Sequence, residues 1–209
     1  MNVRMIRCTP DADGICGLAA AKCYGGSNPE NALETALKHG HTSVAEHACF
    51  TFEIDGLSRV ALAQLTRHRH ASFSVESQRY CGADERPFIR PKSFKDKAYV
   101  GSVDAMLYEL EDLYHSMVMD GVPKEDARMI LPQGIATNLI MTMNARELLH
   151  FFNLRCCRRA QWEIRDLAWE MLKLCQIAAP KLFEKAGPSC VSGTCPEGSR
   201  SCKGIGKGE

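Results

Sequence analysis

The sequence predicts an α+β domain in which helices outweigh strands, and three observations predict it. CFTFEI (49–54) puts Phe50, Phe52 and Ile54 on one face and Thr51 and Glu53 on the other, the two-residue period of a half-buried strand. Longer stretches, about 97–120 and 160–184, repeat apolar residues at steps of three and four, the period of a helix. Short elements of both kinds alternate along the chain without internal repeats.

In order, NVRMIRCT (2–9) reads as a first strand and GICGLAAAKCYGG (14–26) as a helix stopped by Gly25 and Gly26. PENALETALKHG (29–40) is a second helix, opened by Pro29 and followed by Gly40. After the strand at 49–54, SRVALAQLTRH (58–68) returns to helix. Ser58 is its N-cap, and Gln64 and Arg67, three apart, share its polar side. A proline-bearing loop (83–93) leads to the long helix from about Lys97 to Asp120, marked by Val103, Leu107, Leu110, Tyr114 and Met117 and ended by Gly121. VPKEDARMILP (122–132) is a short helix between Pro123 and Pro132, and ATNLIMTM (136–143) is a strand. It runs into a helix capped by Asn144, and the last helix, from Ala160 to about Glu184, has Ile164, Leu167, Ala168, Met171, Leu172, Cys175 and Leu182 in one core-facing stripe. These elements form a single domain over residues 1–186. A Cys-, Gly- and Ser-rich tail over residues 187–209 is expected to be mobile.

Charge excludes several function classes. Lys plus Arg number 26 against 25 for Asp plus Glu, so the net charge of +1 supplies no general field for nucleic acid or an acidic membrane. No stretch has the length and apolarity of a signal peptide or a membrane span, and the 11 cysteines then read as reduced thiols of a cytoplasmic protein. Any anion site has to be local.

RHRHASFSVESQRY (67–80) is such a place: three arginines, two histidines and one acid, Glu76, with no lysine. If extended, it points Arg67 and Arg69 one way and His68 and His70 the other. Paired guanidinium forks match phosphate oxygens and keep their protons, while Ser72, Ser74 and Ser77 add neutral donors and Arg79 a further cation. A solvated charged face would mix in acids and lysines. A His68–His70 metal pair would need a further ligand nearby, and RNA binding fits poorly with the neutral total. A small phosphorylated ligand is the best local reading. Arg128, Arg146 with His150 four residues on, and Arg155 behind the apolar run of FFNLR extend the cationic set. In the tail, Cys190, Cys195 and Cys202 are spaced as three thiolates that would need a fourth ligand from elsewhere to hold zinc. A metal- or RNA-binding module built on the Arg/His segment and this tail is the contrasting reading.

The Arg/His segment resembles the signature of the flavin-dependent thymidylate synthases, arginine-histidine-arginine followed after seven residues by serine. KHGHTSVAEHACFTFEI, VPKEDARMILP, NARELLHFFNLR and AQWEIRDLA resemble that family's other landmarks, in order, over nearly the whole chain to about Phe183. The resemblance implies a small twisted sheet, mixed or antiparallel, surrounded by helices. It implies methylation of dUMP to dTMP, with carbon from methylenetetrahydrofolate and hydride from FAD that NADPH has reduced. It also implies a homotetramer whose active sites are shared between subunits.

Position by position, the resemblance assigns His41, Ser43, Arg67, His68, Arg69, Val75, Asn144, Arg146 and His150 to FAD. It assigns Gln64, Arg67, Glu76, Ser77, Gln78, Arg79, Arg128 and Arg155 to dUMP. Arg155 is the expected catalytic group, because a guanidinium beside the uracil edge stabilises negative charge on N3 and O2 and makes C5 nucleophilic. Ser77 has no evident base and is expected to bind nucleotide rather than attack it. Ser74 and Val75 stand where some family members carry Asn-Glu, His150 where asparagine occurs, and Arg159 where histidine occurs.

Overall fold

A four-stranded antiparallel sheet in the order β1-β2-β4-β3 organises the chain, formed by β1 (Asn2–Cys8), β2 (Cys49–Ser58), β3 (Ala71–Val75) and β4 (Ala136–Asn144). The structure is a computed structural model and describes residues 1–26, 28–82, 86–193 and 195–202. Alternation in β2 and β4 sets which face is buried: Phe50, Phe52 and Ile54 join Leu139, Met141 and Met143 in the core. The opposite face is polar, with Thr51 Oγ1 and Thr142 Oγ1 3.0 Å apart and Arg4 Nε donating to Glu53 at 3.0 Å.

The predicted strand at 49–54 continues to Ser58 through a bulge after Ile54. Gly56 there takes φ +74°, and its N–H donates to Asn138 Oδ1 at 3.0 Å. β3 begins only at Ala71. Residues 67–70 therefore do not alternate: His68 N–H closes a turn onto Leu65 O at 3.1 Å, which buries His68 and leaves Arg67, Arg69 and His70 exposed. His68 and His70 share no face.

Helices α1 (Ala12–Tyr24), α2 (Pro29–Lys38), α3 (Arg59–Leu65), α6 (Ala145–Arg155) and α7 (Trp162–Ala178) pack around the apolar side of the sheet. The expected single helix from 160 to 184 is two. Pro180 has no N–H to continue it, so Ala179 leaves helical geometry at φ −146° and α8 (Pro180–Phe183) turns back to seat Phe183 against Phe50 and Phe152. The long helix α4 (Val100–Met119) docks through Tyr114, Met117 and Val118 against α5 (Lys124–Ala127) and Ile135. Its Met106, Tyr108 and Met119 face outward.

The tail is not featureless. Residues Ser189–Ser192 form α9, Ser189 Oγ donates to Asn153 Oδ1 at 2.6 Å, and Arg159 pairs with Glu197 and donates to Arg200 O at 2.9 Å. These ties hold the tail against the end of α6. Among the described residues, no helix is long and apolar enough to cross a membrane.

Candidate functional site

The arginine and histidine positions gather at the two ends of α3. At its C-terminal end, the turn at Arg67 and His68 meets α6, where Glu147, Phe151 and Arg155 recur every four residues and so share one face. His68 Nδ1 lies 2.8 Å from Glu147 Oε1, with both side chains nine-tenths or more buried. Arg155 Nε donates to His68 Nε2 at 3.2 Å, and Arg155 Nη2 donates to Gln64 O at 3.2 Å. Gln64 thus contributes its carbonyl here. The His68 ring packs edge-on to Phe151 and His150, with centroids 5.0 and 5.7 Å away.

Burial is the largest cause holding the Arg155 guanidinium below the ordinary arginine value, and the neighbouring Arg67 charge adds to it. Two cations this close, one partly desolvated, make an environment that an anion would relieve. Burial also lowers the His68 pKa against the opposing pull of Glu147, and Arg155 lowers it further.

Beside this group lies a cavity of about 650 Å³, lined by Thr42, Glu46, His70, Asn144, Arg146, Glu147, Leu149, His150 and Asn153. Three expected flavin positions, Asn144, Arg146 and His150, therefore share one wall. Asn144 Oδ1 caps α6 by accepting from Glu147 N at 2.9 Å, and Arg146 is paired with Glu46. His41 stands before, and Ser43 within, a 3-10 turn over Thr42–His47 whose Thr42 and Glu46 line the cavity, and the His41 ring is 5.7 Å from Tyr24. A second cavity of about 550 Å³ adjoins Arg155, and its wall includes Cys157, Arg158, Arg159, Cys190, Cys195 and Cys202. The tail cysteines thus share a cavity with Cys157. Among the described residues, however, the compact three-donor cluster is His68, Glu147 and His150, whose ligand atoms lie within 4.8 Å of one another.

The other expected dUMP residues gather at the N-terminal end of α3. Arg59 Nη2 donates to Glu76 O at 3.1 Å, and its pKa is lowered by burial first and by Arg128 as well, with Glu76 opposing. Glu76 pairs with Arg86 and accepts from Asn138 Nδ2 at 3.0 Å. Ser77 Oγ accepts from Arg79 N at 3.2 Å within a turn that includes Gln78. Arg79 Nε reaches Glu125 at 2.6 Å, while Arg128 Nε donates to Glu125 O at 3.0 Å. Val75 closes β3 opposite Leu139, and Arg69 is exposed without joining either group.

Within one chain the expected dUMP residues thus form two groups. Gln64, Arg67 and Arg155 lie at one end of α3, and Glu76, Ser77, Gln78, Arg79 and Arg128 lie near the other. Sequence reasoning missed Glu147, Arg59 and Asn138. Glu147 left a signal, an acid on the same helical face as Phe151 and Arg155. Arg59 left none, because its role depends on where β3 and β4 bring Glu76.

Residues 4–181 match the family described as thymidylate synthase complementing protein. Three proteins named flavin-dependent thymidylate synthase are among those the chain resembles. The Geobacter sulfurreducens protein is 45% identical over 97% of this chain and 94% of its own length, and the Clostridium tetani protein 37% over 97% and 93%. The Pyrococcus furiosus protein is 47% identical over 80% of this chain and 73% of its own length. With matches of this extent, this chain belongs to the flavin-dependent thymidylate synthase family.

Proposed function

We propose that this chain converts dUMP to dTMP by reductive methylation, as a methyltransferase that takes carbon from methylenetetrahydrofolate and hydride from FAD reduced by NADPH. Family membership carries the thymidylate synthase activity and its flavin dependence. The observation that supports the finer reading is the Arg155 group, a partly desolvated guanidinium held on two sides with Arg67 beside it.

The cavity beside α6 offers donors suited to a flavin and its pyrophosphate: the Arg146 guanidinium, the Asn144 amide and the imidazoles of His70 and His150. We assign these, with His41, Ser43, Arg67, His68, Arg69 and the backbone at Val75, to FAD, which when bound supplies the hydride.

Arg155 then does the protein's part at the uracil ring. Its guanidinium has five N–H groups, of which one meets His68 and one Gln64 O, so three remain for the O2 and N3 edge. Charge developing there is met by a fixed cation, which raises electron density at C5 without an enzyme nucleophile. Gln64 and Arg67 line the same end, and Glu76, Ser77, Gln78, Arg79 and Arg128 are assigned to dUMP as well. The homotetramer with active sites shared between subunits is inferred from the family resemblance and from the frequency of closed symmetric assemblies. We further infer that residues 1–186 are the catalytic unit, that 187–209 are an appended tail, and that the protein works in the cytoplasm on small molecules rather than nucleic acid.

Arg155→Lys tests the reading. Lysine keeps the charge but loses the fork, so dUMP binding should weaken less than tenfold while turnover, followed as tritium released from C5-labelled dUMP, drops at least a hundredfold. Wild-type turnover in that variant would remove Arg155 from the mechanism.

A further inference from the structure

His68 and Glu147 are two of the buried polar side chains among the described residues, Arg155 beside them is partly buried, and Glu147 has no role in the reading above. Arg155 can only donate, so His68 Nε2 must present a lone pair to Arg155 Nε. The His68 proton then sits on Nδ1, 2.8 Å from Glu147 Oε1, which accepts it. Both bonds form together when His68 is neutral with its proton on Nδ1, an oxygen of Glu147 accepts that proton, and Arg155 Nε donates to Nε2. A second proton on His68 would set one N–H against another and place like charges in contact. The groups facing His68 are Glu147, Arg155 and His150, and the burial that lowers its pKa favours the same neutral form.

The placement of Glu147 is itself fixed. It stands in the first turn of α6, where Asn144 caps its backbone N–H, and Arg155 stands in the last turn of the same helix. Eight residues at about 1.5 Å each separate them by roughly 12 Å along the axis, a gap the His68 ring bridges. A metal at His68, Glu147 and His150 is the competing occupant, since these donors lie within 4.8 Å of one another. That arrangement would have to displace the Nδ1 proton and would bring a cation next to the guanidinium already bound to the other ring nitrogen.

We propose that Glu147 is a positioning residue for the methylation reaction: it fixes His68 in the tautomer whose Nε2 anchors Arg155 Nε, and thereby sets the plane in which the free guanidinium N–H groups meet the uracil ring. This rests on Arg155 being the substrate-facing cation. It also joins a residue assigned to flavin, His68, to one assigned to dUMP through a single ring, with Glu147 behind both.

The test uses flavin-loaded protein. Glu147→Gln keeps an acceptor of the same size but can flip to donate to Nδ1, which releases the tautomer lock. The expected result is kcat lowered at least tenfold with KM for dUMP within threefold and flavin content retained. A purely structural role would lower the melting temperature and the active fraction while leaving kcat per bound flavin unchanged.

His68→Gln and His68→Leu form a second arm. The glutamine amide can donate to Glu147 and accept from Arg155 as the imidazole does, so His68→Gln should turn over at least tenfold faster than His68→Leu at equal flavin occupancy. This comparison decides the matter if Glu147→Gln fails to fold. Equal rates for the two His68 variants, or a kcat for Glu147→Gln within twofold of wild type, would overturn the proposal, as would a stoichiometric metal lost on Glu147→Gln substitution. Slow turnover by Arg155→Lys beside normal turnover by Glu147→Gln defeats this proposal alone, whereas normal turnover by Arg155→Lys defeats the reading beneath it.

Discussion

Replacing Glu163 with alanine should destabilise the chain more than any surface change, although Glu163 lies in no cavity of the site. It is 3% exposed and sits in the first turn of α7, where Gln161 Oε1 caps Glu163 N and Ile164 N at 3.1 Å. Its carboxylate reaches across to the start of α3, accepting from Ser58 N at 2.7 Å and from Ser58 Oγ at 2.5 Å. Ser58 Oγ in turn accepts from Ala61 N at 3.1 Å. Hydrogen bonds to a charged acceptor contribute about 1.5–3 kcal/mol each, and alanine removes two while leaving a buried N–H and O–H without partners, so roughly 3–6 kcal/mol is at stake. For a chain of this size each kcal/mol moves the melting temperature by about 2–4 °C, which gives a fall of roughly 10 °C. Thermal unfolding of flavin-loaded protein at matched concentration measures it. The Ser58→Ala and Glu163→Ala changes should also couple by more than about 1 kcal/mol in a double-mutant cycle. A fall below about 3 °C for Glu163→Ala, or additivity in the cycle, would refute the reasoning.

Three further outcomes are expected. Phe183→Ala, which empties a fully buried ring site against Phe50 and Phe152, should cost about 3–5 kcal/mol in denaturant unfolding, and a loss under ~1.5 kcal/mol would contradict the packing described. Because burial lowers the folded pKa of His68 below the roughly 6.5 of an unfolded imidazole, the unfolded chain binds more protons between those two values, and stability rises with pH through that window. Melting temperature should therefore fall as pH drops from 7.5 to 5.5, and fall less in His68→Gln; equal slopes would refute the assignment. Burial pushes Cys16 up to about 11 and Cys156 up to about 12, and raises Cys175 too, so alkylation at pH 8 should label the exposed Cys23, Cys49 and Cys81 and spare those three until the chain unfolds. Rapid labelling of Cys16 in the native protein would contradict its burial.

Much of the fold was legible because its signals are local. The alternation at 49–54, the Ser58 and Asn144 caps and the apolar stripe of α7 each depend on residues within a turn or two, and each is present as read. Elements whose form depends on distant partners were harder. Residues 67–70 are not extended because the turn that closes α3 rotates His68 into the core, where Glu147 waits 79 residues later. The break at Ala179 follows from Pro180, which interrupts the helix although the apolar stripe runs on past it to Leu182. For the site, residue types and their association with anions could be read from the sequence. The separation of the expected dUMP residues into two groups could not, because it follows from the length of α3 and the pairing of β3 with β4.

That separation makes the short helix a gauge. Between Arg59 and Gln64 the backbone fixes both the spacing and the rotational phase of the two groups, and adding or removing a single residue would swing Gln64 and Arg67 by about 100° around the helix axis. Exposed positions such as Val60 and Ala63 can therefore vary in chemistry at little consequence, while the number of residues in the segment cannot change without turning one group away from the other.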